Sequence, residues 1–596
     1  MKTIIFEKMK LLNLFLMIFF RIFGYKIFFV KISRYLQNKY LLNILKKIDL
    51  NWFNYQEYNL NNVEIFQMQN FLNNASKISD LVSKKFYKNE MNKKFTKENY
   101  FKISLEFNLK KRIFECLEIV KINDYLNYNF NIKCIWAEKD IVSDYIFKKN
   151  QILNINRFKI EFLELFTLLI VYSIKFGKNK LVHIFKQKEK TNEKKNKKRD
   201  FETVYFPHDL LTSGLYQKNF FYFESKKHLL NPNNILHIEW NDTYLTNENK
   251  KFYRKKEINF QLWNHFSSFK TLKNTLIFIY KNKLEFTKIF LWDYHIFKII
   301  CFSIFKLERT DLFLENFSKV KFILSGHSDL FPPEILISAR KRNIVTISIE
   351  DRIVLSGWSS RLMFNFYLAA GETSKKNLIN KQYDNECAIV NGLLFKAINI
   401  KKKLITEKKS FNCLITDFHS EVDWYVNGTS TINNFRRNKE FYNIIFELAS
   451  RFNNINFMIK SKSYEWLDQK FYQQIVQKLL DKKNVLILKD QKKWTPEFSL
   501  NNCDFLFGLH SSLLDEGLAG DKPVIIFDRN NYPSKVFDYS KELLSENLQE
   551  TIQKFEKLTN NFNEYNKSLD KCRALLFYNI DQEKYKKEIE KIIYTK

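Results

Sequence analysis

The chain has 596 residues, 45% of them hydrophobic, and 98 basic against 65 acidic residues give it a net charge of +33. That length exceeds what one hydrophobic core supports and predicts two to four domains. Seven scattered cysteines without a C-x-x-C exclude a disulfide scaffold, and nine histidines without ligand spacing give no metal site.

The basic excess has two sources. Lys, Asn, Ile and Phe are abundant throughout, a compositional bias that needs no function, and an anionic partner is the other explanation. No zinc-finger spacing, RNP-like strand or leucine zipper accompanies the lysines, so no nucleic-acid partner is expected. Residues 1–95 read as a helical N-terminal segment with one strand-like patch, "YKIFFVKI". Within it "LLNLFLMIFF" (11–20) follows Lys2, Lys8 and Lys10, but no cleavage site follows and the run is too short to span a bilayer. A second apolar run, "LFTLLIVYSIKF" (165–176), precedes the charged insertion "KQKEKTNEKKNKKRD" (186–200). Together they predict a protein held peripherally on the anionic, cytoplasmic face of the cell membrane.

Residues 96–396 are expected to form the first α/β domain. Its segment 204–240 crowds His208, Tyr216, Lys218 and His237 among Pro207 and Pro232, a composition suited to loops that hold a polar ligand. From 319 the grammar is regular. "KVKFILSG", "IVTISIE", "FNFYLAAG" and "CAIVNG" read as strands, with helices at "PPEILISARKRN" and "ETSKKNLIN" between them. Strand–helix alternation of this kind predicts a parallel, doubly wound sheet.

A Lys-rich linker at 397–410 leads to a second alternating series at 411–540, followed by charged helices at 541–596. "NCLITDF", "INFMIKSK" and "NVLIL" are strands, with helices at "NKEFYNIIFELASRF" and "WLDQKFYQQIVQKLL". Then "LFGLHSSLLDEGLAGDKPVIIFD" (506–528) concentrates Gly508, Gly517 and Gly520, three of only 11 glycines in the chain. It reads as strand, turn, helix and strand, with Ser511 or Ser512 as N-cap and Gly520 as the helix stop. The glycines serve either a close approach to a phosphate at the helix N-terminus or the turns of an ordinary βαβ unit.

The order of these segments over roughly 200–540 resembles glycosyltransferases of the GT-B architecture. It is most similar to bacterial capsule and lipopolysaccharide transferases related to the CDP-glycerol glycerophosphotransferases. "YLAAGETSKKNL", "INFMIKSK" and "CDFLFGLHSSLLDEGLAGDKPVIIFD" carry the likeness. The departures are "IEDR" (349–352) where many relatives have Gln-His-Gly, Asp521 in place of the Gly before Lys-Pro, and Lys-Ser-Lys in place of a His-Pro pair.

The resemblance implies two Rossmann-like domains facing a cleft and a nucleotide-sugar or CDP-activated donor as substrate. It also implies a glycan or lipid-linked acceptor and no resident cofactor. Transfer from such a donor requires stabilisation of the departing phosphate, a general base if the reaction inverts, and a grip on the nucleotide. Donor-binding candidates are Lys460, Lys462, His510, Ser511, Ser512 and Glu516, the last one helical turn beyond Ser512. Candidates for the base are Glu350, Asp351, His327 and His208, all in loops or at strand C-terminal ends. Two rival readings share the fold: a nucleotide-sugar 2-epimerase, and an inactive scaffold that binds a glycan or a partner transferase.

Overall fold

The computed structural model describes residues 2–9, 11–32, 45, 47–48, 50–52, 68–129, 132–149, 155–158, 201–206, 235–239, 259–263, 269–326, 331–350, 362–379, 387–392, 400, 410–417, 435–461, 464–491, 493–509, 511–528, 539–578, 584, 587–588 and 590–592. Their strands form three parallel sheets.

The first sheet corrects the expectation of a helical N-terminal segment. β1 (Thr3–Met9), α1 (Leu11–Ile22), β2 (Lys26–Ile32) and β3 (Leu50–Trp52) lie within the first 95 residues. Helices α2 (Met68–Phe86), α3 (Asn89–Phe95) and α4 (Glu98–Asn129) follow, then β4 (Ile132–Glu138), α5 (Ile141–Lys149) and β5 (Ile155–Phe158). The strands pair in parallel in the order β3-β2-β1-β4-β5. The reason is burial. Thr3 to Glu7 are all buried, so β1 is covered on both faces and has none of the alternation that marks a half-exposed strand. "LLNLFLMIFF" is an amphipathic helix, with Met17 on the sheet and Phe15, Phe19 and Ile22 exposed.

Where strand order reverses, between β1 and β4, a buried ion cluster occupies the strand ends. Arg112, reaching in from α4, bonds Glu7 with both terminal nitrogens and donates Nε to Asp140 Oδ2 at 2.7 Å. Glu7 Oε2 also accepts from the Glu138 amide at 2.8 Å. Burial pushes the Glu7 carboxyl upward while the guanidinium opposes the shift.

The second sheet has seven strands. They are β6 (Thr203–Phe206), β7 (Ile235–Glu239) and β8 (Asn259–Leu262), then, after helices α6 (Phe269–Lys281), α7 (Lys283–Trp292) and α8 (Tyr294–Asn316), β9 (Phe322–Ser325). α9 (Pro333–Lys341), β10 (Val345–Ile349), β11 (Phe366–Ala369), α10 (Glu372–Ile379) and β12 (Ala388–Asn391) complete it in the order β12-β11-β10-β9-β6-β7-β8. Glu334 on α9 ties this unit to the first. Its Oε1 accepts from Ser104 Oγ and Asn108 Nδ2 of α4, each at 2.9 Å.

The third sheet is the expected second series. It holds β13 (Phe411–Thr416), α11 (Phe435–Arg451), β14 (Ile455–Lys460), α12 (Gln473–Leu480) and β15 (Val485–Ile487). α13 (Pro496–Asn502), β16 (Phe505–Gly508), α14 (Ser512–Ala519), β17 (Val524–Phe527) and β18 (Leu544–Ser545) follow, with strand order β15-β14-β13-β16-β17-β18. The two doubly wound sheets implied by the resemblance are therefore these sheets of seven and six parallel strands. The segment from 541 onward holds the expected helices and also a strand of this sheet. It supplies β18 and then α15 (Leu548–Asn560), α16 (Phe562–Ser568) and α17 (Asp570–Leu576). Ile400, inside the expected linker, is buried against the turn at Gly520.

His237, set among the possible ligand-loop residues, is a core residue of β7. It is fully buried, with its ring edge-on to Tyr205 at 5.3 Å, and burial holds its pKa down to about 3 from an ordinary 6.5. The unfolded chain takes up a proton below about pH 6.5 that the folded chain refuses, so this histidine's contribution to stability is lost as pH falls from there towards 3. In urea titrations of parent and His237→Phe, the parent should lose about 1.4 kcal/mol more per pH unit between pH 6 and 4.5. Parallel pH profiles would contradict this.

Candidate functional site

The third sheet reverses strand order between β13 and β16, and open α/β sheets bind ligands outside the strand ends at such a point. Across that edge Thr416 pairs with Lys460 on one side and Gly508 on the other, so three strand ends stop in one row. Asp417 follows β13 and accepts from the Tyr442 hydroxyl at 2.6 Å. Ser461 follows β14 and accepts from Trp466 Nε1 at 2.9 Å. Tyr442 and Trp466 stack at 4.2 Å, which braces Asp417 and Ser461 from the α11 side.

Lys460 is largely buried and donates Nζ to the Trp494 carbonyl at 2.6 Å. Burial lowers its pKa, and the Asp417 charge opposes that shift. An ammonium group carries three donors, so this bond leaves capacity for an anion.

Ser511 is the N-cap of α14, its hydroxyl accepting from the Leu513 amide at 3.4 Å, a long bond. Ser512 opens the helix; both serines are half-buried. The helix start thus presents amide hydrogens and two hydroxyls beside the row of strand ends. Glu516 is buried one turn from Ser512, and Asp515 is bonded by the Tyr539 hydroxyl. Lys460, Ser511, Ser512 and Glu516 are thus carried by the strand ends and the helix of one sheet edge. Lys462, His510, His208, His327 and Asp351 lie outside the described residues.

The glycines answer to packing. A β-carbon on Gly508 would run into the Thr416 hydroxyl and lie 2.5 Å from its backbone carbonyl oxygen. One on Gly517 would be 2.6 Å from Leu506, and one on Gly520 2.6 Å from Ile400. Each missing side chain is a space already filled by this chain, so the second of the two readings of the cluster accounts for it. Asp521 holds a left-handed φ of 68°, the conformation for which glycine is the easier residue. Arg573 supports that turn, pairing with Asp521 Oδ1 at 3.4 Å and donating to the Leu518 carbonyl at 3.1 Å and to the Lys522 carbonyl at 3.2 Å.

Glu350 occupies the end of β10 but is wholly buried. Its Oε2 accepts from the Ala370 amide and its Oε1 from Ser374 Oγ, each at 2.6 Å. Both oxygens hold the turn into α10, which makes Glu350 a positioning residue rather than a base facing solvent. That turn receives the C-terminal tail. Tyr578 N donates to the Ala370 carbonyl at 2.7 Å, and its hydroxyl donates to Glu372 Oε2 at 2.8 Å. Gly371 makes room, because a β-carbon there would collide with the Leu576 carbonyl. The tail therefore runs from the end of α14, through Arg573, to the end of β11 in the second sheet. Sequence reasoning missed Asp417, Arg573 and Gly371; the aspartate directly after "NCLIT" was a readable sign, whereas the bonds of Arg573 to the turn at 518–522 and the contact of Gly371 with Leu576 span 50 or more residues.

No protein-family model matches the chain, and no curated protein matches it in sequence. Among solved structures it is similar to UDP-GlcNAc 2-epimerase from Neisseria meningitidis bound to UDP-GlcNAc, at 15% identity over 66% of this chain and 99% of that one, with a TM-score of 0.43. It is also similar to the UDP-GlcNAc 2-epimerase of Methanocaldococcus jannaschii (12% identity, 66% and 99% covered, TM-score 0.39). A glycosyltransferase from Rickettsia africae gives 10% identity, 66% and 98% covered, and a TM-score of 0.39. Among the described residues, no three His, Cys, Asp or Glu side chains group to hold a metal ion.

Gly508→Ala should lower unfolding stability by roughly 1–3 kcal/mol, the range for overpacking a close contact. Asp521→Gly should cost less than 1 kcal/mol, since relief of its backbone conformation offsets the lost pair with Arg573. Denaturant midpoints check both. An unchanged midpoint for Gly508→Ala would show that the contact with Thr416 yields freely.

Proposed function

We propose that the protein is a glycosyl- or glycerophosphotransferase that takes a nucleotide-activated donor, in the building of a bacterial surface polysaccharide. The observation that carries the donor half of this reading is the row Lys460, Thr416 and Gly508 at the strand-order reversal, with the α14 N-terminus beside it. The acceptor half, a glycan or lipid-linked hydroxyl, rests on the resemblance of the segments between 200 and 540.

In this reading the donor diphosphate lies over the β13–β16 edge. The amides of Ser512 and Leu513, the hydroxyls of Ser511 and Ser512, and the Lys460 ammonium oppose the charge that grows on the departing phosphate. These groups are fixed before the donor arrives, so little reorganisation is needed as the bond breaks. Glu516 takes a ribose hydroxyl. The base comes from the segments that follow β6, β9 and β10 in the sequence, which hold His208, His327 and Asp351. Lys460 binds phosphate only while protonated. Its lowered pKa makes donor affinity fall at a lower alkaline pH than an exposed lysine would give.

Calorimetry with nucleoside diphosphates and with nucleosides alone tests the donor site. Ser511→Ala combined with Ser512→Ala should weaken the diphosphate by roughly 1–3 kcal/mol and leave the nucleoside unaffected. Lys460→Met should weaken it further and remove the alkaline fall. Diphosphate binding equal to the parent in all variants would refute the site. Donor consumed only when an acceptor glycan is added supports transfer; sugar inverted at C2 without acceptor assigns the epimerase reaction instead.

A further inference from the structure

Helices α6 and α7 run in succession through Asn282, whose amide bonds the Phe278 carbonyl and whose carbonyl accepts from the Phe286 amide, and together they lie antiparallel along α8, with Asn274 against Glu308 and Phe286 against Phe297. Their inner faces are in order: Thr271 and Thr275 are buried, Phe278 and Ile279 pack on the core, and Phe286 and Ile289 are buried. The outer face is not what water selects. Leu276 is 53% exposed, Ile277 40%, and Tyr280, Leu284 and Leu291 between 65% and 72%. Leu276, Ile277, Tyr280 and Leu284 fall at helical spacing along one side, so they form a stripe rather than isolated exposed residues.

Lysines border this stripe. Lys270, Lys273, Lys281, Lys283 and Lys288 are all exposed. Lys270 pairs with Glu315 at 3.7 Å and Lys288 with Glu285 at 3.5 Å. Lys273, Lys281 and Lys283 make no ion pair among the described residues. Lys283 Nζ instead lies over the Tyr280 ring, 5.7 Å from its centroid. α1 also exposes apolar residues, but Arg21 is the only charged residue within it.

We propose that the outer face of the α6–α7 pair docks on an anionic membrane surface. The leucines, Ile277 and Tyr280 enter the boundary between headgroups and acyl chains, and the lysines reach the phosphates at its rim. Charge complementarity selects this occupant. A second copy of the same face would bring lysines against lysines, and nucleic acid offers nothing to exposed leucines. The expected membrane contacts at 165–176 and 186–200 lie outside the described residues, so this face is a different surface. It is also independent of the donor-site reading, since no residue of these two helices lies at the β13–β16 edge.

Co-sedimentation with vesicles of phosphatidylcholine, with and without about one-third phosphatidylglycerol, tests the proposal on the full chain. The parent should pellet with the anionic vesicles and little with the neutral ones. One variant carries Lys281→Glu and Lys283→Glu; the other carries Leu276→Ser, Ile277→Ser and Tyr280→Ser. At exposed positions both should keep the parent's melting temperature and lose about tenfold or more in partition coefficient. The charge variant should lose it at low salt only, because screening removes that part in the parent too. A parent that stays in the supernatant, or variants that bind as it does, would overturn the proposal. So would a concentration-dependent dimer abolished by the apolar variant, which would give the face to a second copy.

Discussion

The approach of β16 to β13 at Gly508 and Thr416 governs the candidate site. With no β-carbon on Gly508, the two strand ends stop level, and Leu509 N reaches back to the Thr416 carbonyl at 3.1 Å. That bond fixes where the chain leaves the sheet, two residues before Ser511 caps α14. Gly517 then lets the helix lie down on Leu506 of the same strand. The glycines bring backbone to backbone, and the place of the proposed donor site follows from where the helix must start. That proposal needs no glycine dedicated to a phosphate.

Buried charge is used elsewhere to join elements rather than to react. Arg112 fills the reversal point of the first sheet with Glu7 and Asp140, so the strand ends there face a guanidinium of their own chain. Glu334 receives hydrogen bonds from α4 and fastens the first unit to the second. Glu350 holds the turn on which the C-terminal tail rests, and burial together with Glu372 raises the pKa of Tyr578 at that contact. Removing one partner from such sites leaves an uncompensated charge in a low-dielectric setting, so they resist change for structural reasons. The third sheet differs. There Lys460 donates to the Trp494 carbonyl, and at the α14 N-terminus the Leu513 amide makes a long bond to the Ser511 hydroxyl while the Leu514 amide bonds the Ser511 carbonyl at 2.9 Å.

Much of this was legible between 319 and 528, where strands are short apolar runs and each helix opens with proline, serine or a polar turn. α9 starts at Pro333 and α14 at Ser512, as their sequences indicate. Of the first sheet only β2 was legible, as the patch "YKIFFVKI"; β1 was hidden because "TIIFEKM" sets a short apolar run beside Glu7 and Lys8 and leads at once into the helix "LLNLFLMIFF". Neither period shows where both faces of the strand are buried. β4 follows β3 only after some 80 residues, so no short-range alternation announced the unit. Glu350 looked like a site residue because a carboxylate at a strand end is where chemistry belongs. Its partners, Ala370 and Ser374, lie 20 and 24 residues away, and only the folded chain brings them there. The tail across Gly371 was beyond reach for the same reason, over about 200 residues.

Hydrogen–deuterium exchange of the full chain with and without a saturating nucleoside diphosphate tests the central claim most directly. Protection should appear in peptides covering 414–417, 458–461 and 508–514, with the largest effect on the amides of Ser512 and Leu513. Peptides from the first sheet, including 3–9 and 132–140, should exchange unchanged, since Arg112 already occupies that reversal point. Protection centred on the first sheet, or absent from 508–514 while the ligand is bound, would contradict the account.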